Sequence, residues 1–371
     1  MKKIKYMSYD WYWDVDIEII SALLKDFSID AFITSPKDNA RFLSYQIDGC
    51  NNIIVNKLKH NNRNICTLFS SFIKVVSFFF QARRNKEPLI YVFGNSLINI
   101  LVFLLAPTDK TIVSLHDYTE HSNEQKFLFK IFKQTIIKRF KYFHFHSPSQ
   151  KTLFAKKYPR KCFFNTVLPV VSFGDPTRNG LDIRKEGLLT FLFFGNILPY
   201  KRPDIFIEAA NRVGVQANFV MAGCCKLWAN YEHSITNRKT LTTYIKTIEN
   251  HLIADLFCDS DFIVLPYSDT TQSGPLMLAY NYNLPVIASD LDFFKTMITD
   301  GYDGFLFPEG NIKALTEIIR KCIKLTENER LIMRKNLSET AKRYAKENDI
   351  AGNFRKFISE TVNRQKSHYN L

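Results

Sequence analysis

The sequence has few acidic residues for its number of basic ones, and it lacks the spaced motifs of several large protein classes. Its 371 residues include 36 Asp and Glu against 50 Lys and Arg, which gives a formal net charge of +14. None of the seven cysteines is spaced as C-x-x-C, and their odd number argues against a complete disulfide framework, so we expect a reducing cytoplasm. No G-x-G-x-x-G follows a predicted strand, which disfavours a nicotinamide-dependent oxidoreductase.

Long uninterrupted hydrophobic runs are also missing. The best candidate, residues 88–107, begins and ends with proline and is broken by Gly94-Asn95-Ser96. It therefore predicts a strand, a turn and a buried helix rather than a membrane span of about 20 residues. Residues 1–16 are basic but contain no apolar core of about 7–15 residues, so they are interpreted as a first strand and not as a signal peptide.

The composition that remains is that of a globular protein with polyanionic partners. It is 46% hydrophobic and 23% charged, which excludes a disordered, collagen-like or coiled-coil chain. The positive charge indicates nucleic acid, an acidic membrane surface or phosphorylated substrates, and charge alone does not choose among them. No nucleic-acid-binding motif accompanies the charge, so we expect no nucleic-acid partner.

Short apolar runs alternate with helical patterns along the chain, which is typical of parallel α/β architecture. The predicted strands of the first half are Ile4–Ser8, Ala31–Thr34, Leu89–Phe93, Thr111–Leu115, Tyr142–Ser147 and Phe163–Val167. Those of the second half are Leu189–Phe194, Ala217–Met221, Asp261–Pro266, Pro285–Ser289 and Gly304–Phe307.

The chain length and one polar stretch predict two domains. About 100–200 residues per domain allows two, and residues 172–188 are rich in Gly, Pro and charge without apolar periodicity. We therefore predict Rossmann-like domains at 1–171 and 189–347, joined by a linker at 172–188, with an active cleft between them. A last helix over 348–371 is expected to return to the N-terminal domain.

The first segment with chemical potential is Phe193–Asp204. A strand ends at Gly195, and the following loop carries Lys201 and Arg202 to the strand's carboxyl edge, where open α/β sheets bind ligands. Either cation is able to hold a phosphate there. The alternative is that both are ordinary solvated surface charges.

The second segment is Asp261–Ser289. A buried strand leads into a polar loop, and Gln272-Ser273-Gly274 opens a helix. The free amides of a helix N-terminus favour an anion, and glycine allows a phosphate to approach closely. The alternative is simple N-capping by Thr271 or Ser273.

Together these segments resemble the donor-binding domain of the GT-B glycosyltransferases of family GT4. The similarity covers about residues 189–311, in the order and at the spacing of that family. The matching stretches are FFGNILPYKRPDIFIEA, FVMAG, LFCDSDFIVLPYSDTTQSGPLMLAYNYNLPVIAS and DGYDGFLFPEGN. In the first half, LHDY at 115–118 and FHSPSQKTLF at 145–154 are similar to the acceptor domain.

This resemblance implies specific site residues. Lys201 matches the lysine that contacts the donor diphosphate, and His116, with Asp117 beside it, matches a histidine that faces the transferred sugar. The amides of Ser273 and Gly274, together with Arg202, are expected to bind the diphosphate as well. Gly195, Asn196, Gly223 and Gln272 are assigned to the donor nucleotide and sugar.

The sequence departs from the family at three places. The paired glutamates of its E-x7-E motif fall on Thr270 and Leu278, and the arginine that follows the first glycine is Asn196. The glycine-rich turn after the first strand is replaced by Tyr9-Asp10-Trp11-Tyr12-Trp13. The loss of both glutamates keeps a second hypothesis open, in which the chain is a non-catalytic nucleotide-sugar-binding partner subunit.

The candidate metal ligands in the sequence are three acidic triplets and a histidine pair. Asp-x-Asp occurs at 14–16, 259–261 and 290–292, always at a predicted element boundary where Asp is common as a cap. His144 and His146 share one face of a predicted strand but have no acidic or cysteine neighbour. We therefore expect no metal and no separate cofactor.

A basic amphipathic segment, Lys126–Lys141, predicts contact with a membrane. It carries six cations and no acid, with an apolar stripe that includes Phe129, Phe132 and Ile136. The alternative is a core helix with a solvated basic face. Residues 66–84, which end in Arg83-Arg84, are a second candidate for the same contact.

The leading hypothesis is a retaining, metal-independent hexosyltransferase. It takes a sugar from a nucleotide-sugar donor to a lipid-linked saccharide in bacterial surface polysaccharide synthesis. The resemblance implies retention, an N-terminal acceptor domain and a C-terminal donor domain. The expected location is the cytoplasm, peripheral to the inner face of the cell membrane.

Overall fold

The computed structural model describes residues 2–36, 47–50, 52–58, 65–94, 96, 98–116, 118, 127–177 and 180–362. The chain divides into two compact units, Met1–Pro169 with Asn348–Leu371, and Val170–Glu347. The strands are β1 Lys2–Tyr9, β2 Phe27–Pro36, β3 Asn52–Leu58, β4 Leu89–Val92, β5 Thr111–Leu115, β6 Tyr142–Phe145, β7 Cys162–Asn165, β8 Thr190–Phe194, β9 Asn218–Ala222, β10 Leu241–Tyr244, β11 Phe262–Leu265, β12 Val286–Ser289 and β13 Gly304–Phe307.

The α-helices follow the same alternation. They are α1 Trp13–Leu23, α2 Ile65–Arg84, α3 Ile98–Leu105, α4 Phe127–Arg139, α5 Pro148–Lys157, α6 Pro203–Val213, α7 Ala229–Glu232, α8 Asn250–Cys258, α9 Gly274–Asn281, α10 Asp292–Met297, α11 Ile312–Ile323, α12 Glu327–Glu347 and α13 Ile350–Phe357. Short 3-10 turns lie at Asp10–Tyr12, Pro199–Lys201 and Gly214–Gln216, and a π turn at Ile358–Val362 follows α13.

The first unit is built on a seven-stranded parallel sheet in the order β3-β2-β1-β4-β5-β6-β7. Its central strands β4, β5 and β6 are buried along their whole length, as strands covered by helices on both faces must be. One apolar cluster joins the sheet to α2, α3 and α4, and another joins it to α1 and α13. In the second cluster, Phe354 of α13 packs against His144 and Phe164.

The second unit is built on a six-stranded parallel sheet in the order β10-β9-β8-β11-β12-β13. The apolar stripes of α6 and α11 pack on one face of this sheet, through side chains such as Phe206 and Leu315. Residues 172–188, predicted as a linker, contribute no helix in the part that is described. They are tied to this unit, because Asn218 donates to the Ile183 carbonyl at 2.6 Å and Arg184 pairs with Asp259 at 2.9 Å.

The predicted architecture of two parallel α/β sheets is therefore confirmed. Within residues 88–107 the structure has β4 and α3 where the sequence predicted a strand and a buried helix. Among the described residues, no helix combines the length and the apolarity needed to cross a membrane.

Candidate functional site

The second sheet reverses its strand order at one point, between β8 and β11. The chain leaves β8 toward β9 and β10 on one side, and toward β11, β12 and β13 on the other. The loops that follow two such strands diverge and leave a crevice at the carboxyl edge, which is where open α/β sheets bind ligands. Gly195–Arg202 follows β8 and Tyr267–Gly274 follows β11, so both predicted segments meet at this crevice.

Lys201 is the buried cation of the crevice. The 3-10 turn Pro199–Lys201 turns its side chain inward, where the residue is only 7% exposed. Its ammonium lies 5.4 Å from the centre of the Tyr267 ring. Burial lowers the pKa of Lys201 from 10.5 to about 8, and no carboxylate contributes to that shift. A desolvated lysine without a balancing acid is costly to the fold and is characteristic of a site that receives an anion.

Two glycines let the backbone pass close beside this lysine. Gly195 and Gly223 have φ of +102° and +149°, conformations that side-chain-bearing residues rarely adopt. A β-carbon on Gly223 would overlap the carbonyl oxygen of Gly195, and one on Gly195 would lie 3.4 Å from the Lys201 ammonium. The ends of β8 and β9 are joined there, because the Gly195 amide donates to the Ala222 carbonyl at 3.0 Å. A larger residue at position 223 would move a strand end, and at position 195 the positive φ favours glycine.

Helix α9 begins beside the same two segments. Ser273 is its N-cap, and the hydroxyl accepts from the Leu276 amide at 3.3 Å, so the predicted N-capping alternative is correct in geometry. Capping leaves the anion-binding property in place, because the first amide groups of a helix have no acceptor within it. A β-carbon on Gly274 would meet no heavy atom within 4 Å, and Pro275 lies 3.5 Å from a β-carbon on Gly195. A side chain at position 274 would therefore meet open space, and the first turn of α9 lies close to Gly195.

The other residues predicted at this site have different surroundings. Arg202 forms two-pronged contacts with Asp204, at 2.7 and 3.0 Å, and also pairs with Glu309 at 3.5 Å. The hydrogen bonds that Arg202 donates to the Asp204 carboxylate raise the pKa of Arg202. Asn196 is exposed in the loop, and Gln272 accepts from the Thr270 hydroxyl at 2.6 Å through its carbonyl. Their assignments to the donor remain predictions.

Thr270 and Leu278, the positions that match the glutamates of the GT4 pattern, have contacts that stabilise the fold. Leu278 is buried within α9, and the Thr270 hydroxyl closes the turn that leads to this helix. Neither side chain is able to hold a ribose as a carboxylate does. Asp204 and Glu309 also lie near this edge, and both are engaged with Arg202.

In the first unit, His116 follows β5 and is stacked between two rings. The Tyr12 ring lies 4.0 Å away at an angle of 2°, and the His146 ring lies 4.2 Å away. Burial and the neighbouring His146 lower the pKa of His116 well below its usual 6.5. At neutral pH this imidazole is therefore uncharged and acts as a hydrogen-bonding group, not as a cation. Asp117 lies outside the described residues.

His144 and His146 belong to the core of the first unit. The Ser114 hydroxyl lies 2.9 Å from His144 Nδ1 and 3.3 Å from His146 Nε2, and His144 Nε2 lies 2.9 Å from the Thr166 hydroxyl. Burial lowers the pKa of His146 to about 3. In the described part of the chain, no group of three or more His, Cys, Asp or Glu side chains has the geometry of a metal site.

The acidic triplets likewise serve the fold. Asp16 is buried, accepts from the Tyr6 hydroxyl at 2.6 Å and from the Ser8 hydroxyl, and burial raises its pKa to about 7. Asp261 accepts from the Thr190 amide at 2.8 Å, and Asp290 accepts from the Glu309 amide at 3.0 Å. Interpreting these triplets as caps and boundary residues accounts for their contacts.

Sequence reasoning missed three aromatic neighbours of the predicted residues. Tyr267 lies against Lys201, Tyr12 lies against His116, and Trp11 stacks on Tyr9 at the same edge of the first sheet. The run from Tyr9 to Trp13 was visible in the sequence only as a departure from a glycine-rich turn. No spacing rule pairs it with His116, because the two segments meet only through the sheet.

A cavity of about 410 Å³ in the second unit lies at the opposite edge of the sheet. It is lined by Thr190, Asp261 and Arg334, at the amino ends of β8 and β11. The Arg334 guanidinium donates to the Ser260 carbonyl at 2.6 Å. This cavity is therefore separate from the crevice that holds Lys201.

Comparisons with known proteins agree with this geometry. Residues 189–325 match the family model described as "Glycosyl transferases group 1", which covers the crevice and most of the second unit. The chain is 28% identical over 165 residues to an uncharacterized glycosyltransferase of Methanocaldococcus jannaschii. That match spans 43% of this chain and 44% of the relative's length.

Solved structures extend the likeness to both units. Sucrose-phosphate synthase from Thermosynechococcus elongatus is 14% identical with a TM-score of 0.68, over 97% of this chain and 98% of that one. HepE of Anabaena, in complex with UDP and glucose, is 15% identical with a TM-score of 0.68, over 96% and 99% of the chains. WaaG, a glycosyltransferase involved in lipopolysaccharide biosynthesis, is 13% identical with a TM-score of 0.61, over 97% of this chain and 100% of WaaG.

These similarities establish the fold and support a class. The two parallel sheets are those of GT-B glycosyltransferase structures, as predicted. The family match and the named relative support a glycosyltransferase, a transferase that moves glycosyl groups. Membership of family GT4 stays a prediction.

Proposed function

We propose that this protein is a glycosyltransferase that moves a sugar from a nucleotide-sugar donor to a saccharide acceptor. The observation that carries the proposal is the buried ammonium of Lys201, placed without a balancing carboxylate at the switch point of the sheet that matches the group 1 model. Transfer of a sugar leaves negative charge on the departing diphosphate. The charge develops in the transition state. A fixed cation in a poorly solvated crevice stabilises it more strongly than water would.

The start of α9 completes this electrostatic arrangement. A β-carbon on Gly195 would lie 3.4 Å from the Lys201 ammonium and 3.5 Å from Pro275, so the lysine and the first turn of α9, the positive end of its dipole, border the same space. We assign the diphosphate to Lys201 and the amides at Ser273–Gly274. Arg202 is a further ligand only if it exchanges one of its carboxylate partners for phosphate.

His116 is assigned to the transferred sugar or the acceptor hydroxyl. Its imidazole is neutral at pH 7, so it orients a hydroxyl by hydrogen bonding. Retention of the anomeric configuration and independence of a metal ion are part of the proposal. Retention rests on the resemblance to GT4, and metal independence on the cation and amides that are placed to take the charge a metal would otherwise take.

The donor is proposed to be a UDP-sugar. HepE of Anabaena was solved with UDP, with UDP and glucose, and with UDP-glucose, and its fold spans both units of this chain. Leu278 stands in place of a ribose-binding carboxylate, so other groups must hold the ribose of the donor.

A non-catalytic partner subunit is the second candidate. The observation that favours it is the structural use of Thr270 and Leu278, the positions of both family glutamates. Such a subunit would bind a nucleotide sugar through the same crevice and would leave its glycosidic bond intact. Turnover separates the two candidates.

Donor cleavage by the purified protein is the direct test of the proposed function. We expect one nucleoside diphosphate to be released from a panel of UDP-, GDP- and ADP-sugars, because Lys201 and the α9 amides stabilise the leaving diphosphate. Release is measured by coupled detection of the diphosphate, with a membrane lipid extract as the acceptor source and Lys201→Ala as the control. Donor that binds but stays intact under all of these conditions would support the partner subunit instead.

The acceptor is proposed to be lipid-linked, with the protein peripheral to the inner face of a bacterial membrane and engaged in surface polysaccharide synthesis. The first unit concentrates exposed apolar side chains on α2, α3 and α4, which contact one another in that order. These side chains are Phe69, Phe72, Ile73, Phe80, Ile100, Leu104 and Ile131. Exposed Lys74, Arg83 and Arg84 lie on α2 as well. An apolar surface bordered by cations fits an anionic bilayer.

Within this surface, α2 contributes more of the exposed apolar side chains than α4, the helix that the sequence favoured. Lys126 of the predicted segment lies outside the described residues. Lys133 of α4 is buried and donates to the Tyr118 carbonyl at 2.9 Å, so it is not a surface cation. Four of the exposed apolar side chains belong to α2, which was the second candidate in the sequence.

Vesicle binding tests this contact. We expect sedimentation with vesicles of phosphatidylglycerol and phosphatidylcholine but not with phosphatidylcholine alone, because the cations require anionic lipid. Substituting Phe69 and Phe72 together with Ser should lower the bound fraction several-fold, since each buried aromatic side chain contributes about 1.5–3 kcal/mol. Leu153→Ser on α5, which is exposed outside this surface, is the matched control. Equal binding of the double variant and the control would place the contact elsewhere.

A further inference from the structure

The aromatic segment that follows β1 forms a firm, partly exposed surface at the carboxyl edge of the first sheet. The Trp11 ring stacks on the Tyr9 ring, with centres 4.6 Å apart and planes at 10°. Tyr9 is buried, whereas 40% of Trp11 remains exposed. Trp13, two residues on, is fully buried in the core. The segment therefore presents one indole to solvent on a fixed support.

Hydrogen bonds hold that support in place. The Tyr9 hydroxyl lies 2.9 Å from the Tyr91 hydroxyl, which donates to Asn99 Oδ1 at 2.5 Å. The Asn99 amide donates in turn to the Gly94 carbonyl at 2.8 Å. Residues at the ends of β1 and β4 and at the start of α3 are thereby joined in one network. An exposed indole held in this way loses little conformational freedom when a ligand packs on it.

Gly94 shows how closely the stack is fitted to the neighbouring strand. A β-carbon at this position would lie 2.7 Å from the Tyr9 ring and 3.0 Å from the Trp11 ring. Only glycine leaves room for both rings beside the end of β4. The fit indicates that the orientation of Trp11 is set by the sheet and not by chance packing of a surface residue.

The segment lies at the ligand-binding position of its own sheet. β1 pairs with β2 on one side and β4 on the other, and the strand order of the first sheet reverses between β1 and β4. Loops after two such strands form a ligand crevice. Tyr12 connects the segment to His116, because their rings stack at 4.0 Å. Trp11 and His116 therefore belong to one edge and one contiguous set of rings.

We propose that Trp11 binds the acceptor saccharide by stacking its exposed indole against the apolar C–H face of a pyranose ring. This inference rests on the proposed glycosyltransferase function and adds a binding residue to it. An indole offers a flat, electron-rich face and keeps its polar N–H at the edge, so it covers the apolar face of a sugar while the sugar hydroxyls stay in water. The departure from a glycine-rich turn at Tyr9–Trp13 then has a chemical purpose, since glycine offers no such face.

Tryptophan fluorescence tests the stacking without any turnover. Methyl glycosides of glucose, galactose, mannose and N-acetylglucosamine are added at millimolar concentrations to the full chain. We expect at least one of them to shift the emission of the wild-type protein, and we expect Trp11→Phe to lose that response. Trp13 and Trp228 remain in the variant as internal references. If no glycoside produced a response that depends on Trp11, the inference would be wrong.

Transfer kinetics provide the second measurement. We expect Trp11→Ala to raise the acceptor KM about tenfold, the loss expected for one aromatic contact, and Trp11→Phe to restore most of it. Leu153→Ala, exposed on α5 of the same unit, is the control for surface substitution. An unchanged acceptor KM in Trp11→Ala overturns the inference while donor cleavage by the wild-type protein still upholds the proposed function. Absence of donor cleavage by the wild-type protein contradicts the proposed function. The fluorescence response then still tests whether Trp11 contacts a sugar, because it requires no turnover.

Discussion

Replacing Lys201 with Met is expected to lower kcat/KM for the donor by about 100- to 1000-fold, the usual loss when one preorganised charge-stabilising group is removed. The methionine keeps the length and apolar volume of the lysine stem, so Gly195 and Tyr267 keep their packing partner. What disappears is the ammonium that is proposed to bind the leaving diphosphate. Initial rates of nucleoside diphosphate release at varied donor concentration measure the effect. Lys313→Met on α11, an exposed lysine of the same unit, is the control.

The same substitution is expected to make the protein more stable at pH 7. The pKa of Lys201 is about 8 in the folded protein against 10.5 for an ordinary lysine, so the folded state resists the charged form. Below pH 8 the lysine is protonated in both states, and its burial costs the folded state up to about 3 kcal/mol. Methionine removes that cost. Chemical unfolding of both proteins at pH 7 measures the difference.

The pH dependence of that difference has a definite sign. As pH rises from 8 toward 10.5, folded Lys201 loses its proton while the unfolded chain still holds it, so the wild-type protein gains stability. The advantage of Lys201→Met must therefore shrink between pH 7 and pH 9.5. Over the same range donor kcat/KM of the wild-type protein should fall, because the cation is lost above pH 8. A variant that is no more stable than wild type at pH 7, or that keeps full donor turnover, would mean that Lys201 is not a desolvated anion-binding cation.

The sequence predicted the buried strands of both sheets and missed one edge strand of each, for a physical reason. Strands β8, β11 and β12 are buried on both faces and read as continuous apolar runs, so their positions and the loops after them were recognisable. Strands β3 and β10 were not predicted. Both lie at the edge of their sheet, and polar residues such as Asn56 and Thr242 interrupt the apolar run in each.

The candidate site shows the same division. Lys201, Ser273 and Gly274 are predicted from the sequence because a glycine-ended strand and a helix start are local patterns. The burial of Lys201 against Tyr267 and the pairing of Arg202 with Glu309 join residues that are more than 60 positions apart. Whether a basic residue is desolvated or neutralised depends on such distant partners. The local sequence pattern offers Lys201 and Arg202 as equal candidates, and only the resemblance to GT4 favours Lys201, whereas the structure gives the two side chains different surroundings.

Replacing Gly223 with Ala is expected to be the most damaging small substitution in the second unit. Two effects combine there. The φ of +149° strains any residue that has a β-carbon, and the new methyl group would overlap the carbonyl oxygen of Gly195. Relief requires the ends of β8 and β9 to move apart, which breaks the hydrogen bond from the Gly195 amide to the Ala222 carbonyl. We expect a loss of about 3 kcal/mol in the free energy of unfolding, at the upper end of the usual range for one substitution.

Gly214→Ala separates the two effects. Gly214 also has a positive φ, +64°, but a β-carbon there would meet no heavy atom within 4 Å. This control carries backbone strain of about 1–2 kcal/mol without any overlap. Urea unfolding of both variants gives the difference, and calorimetric titration with UDP gives the consequence for the crevice. Because the displaced Gly195 also borders the Lys201 ammonium, Gly223→Ala should weaken UDP binding while Gly214→Ala leaves it intact. Equal stability of the two variants would show that β8 and β9 separate freely at this point, and the close approach of Gly195 and Gly223 would then not be what shapes the crevice.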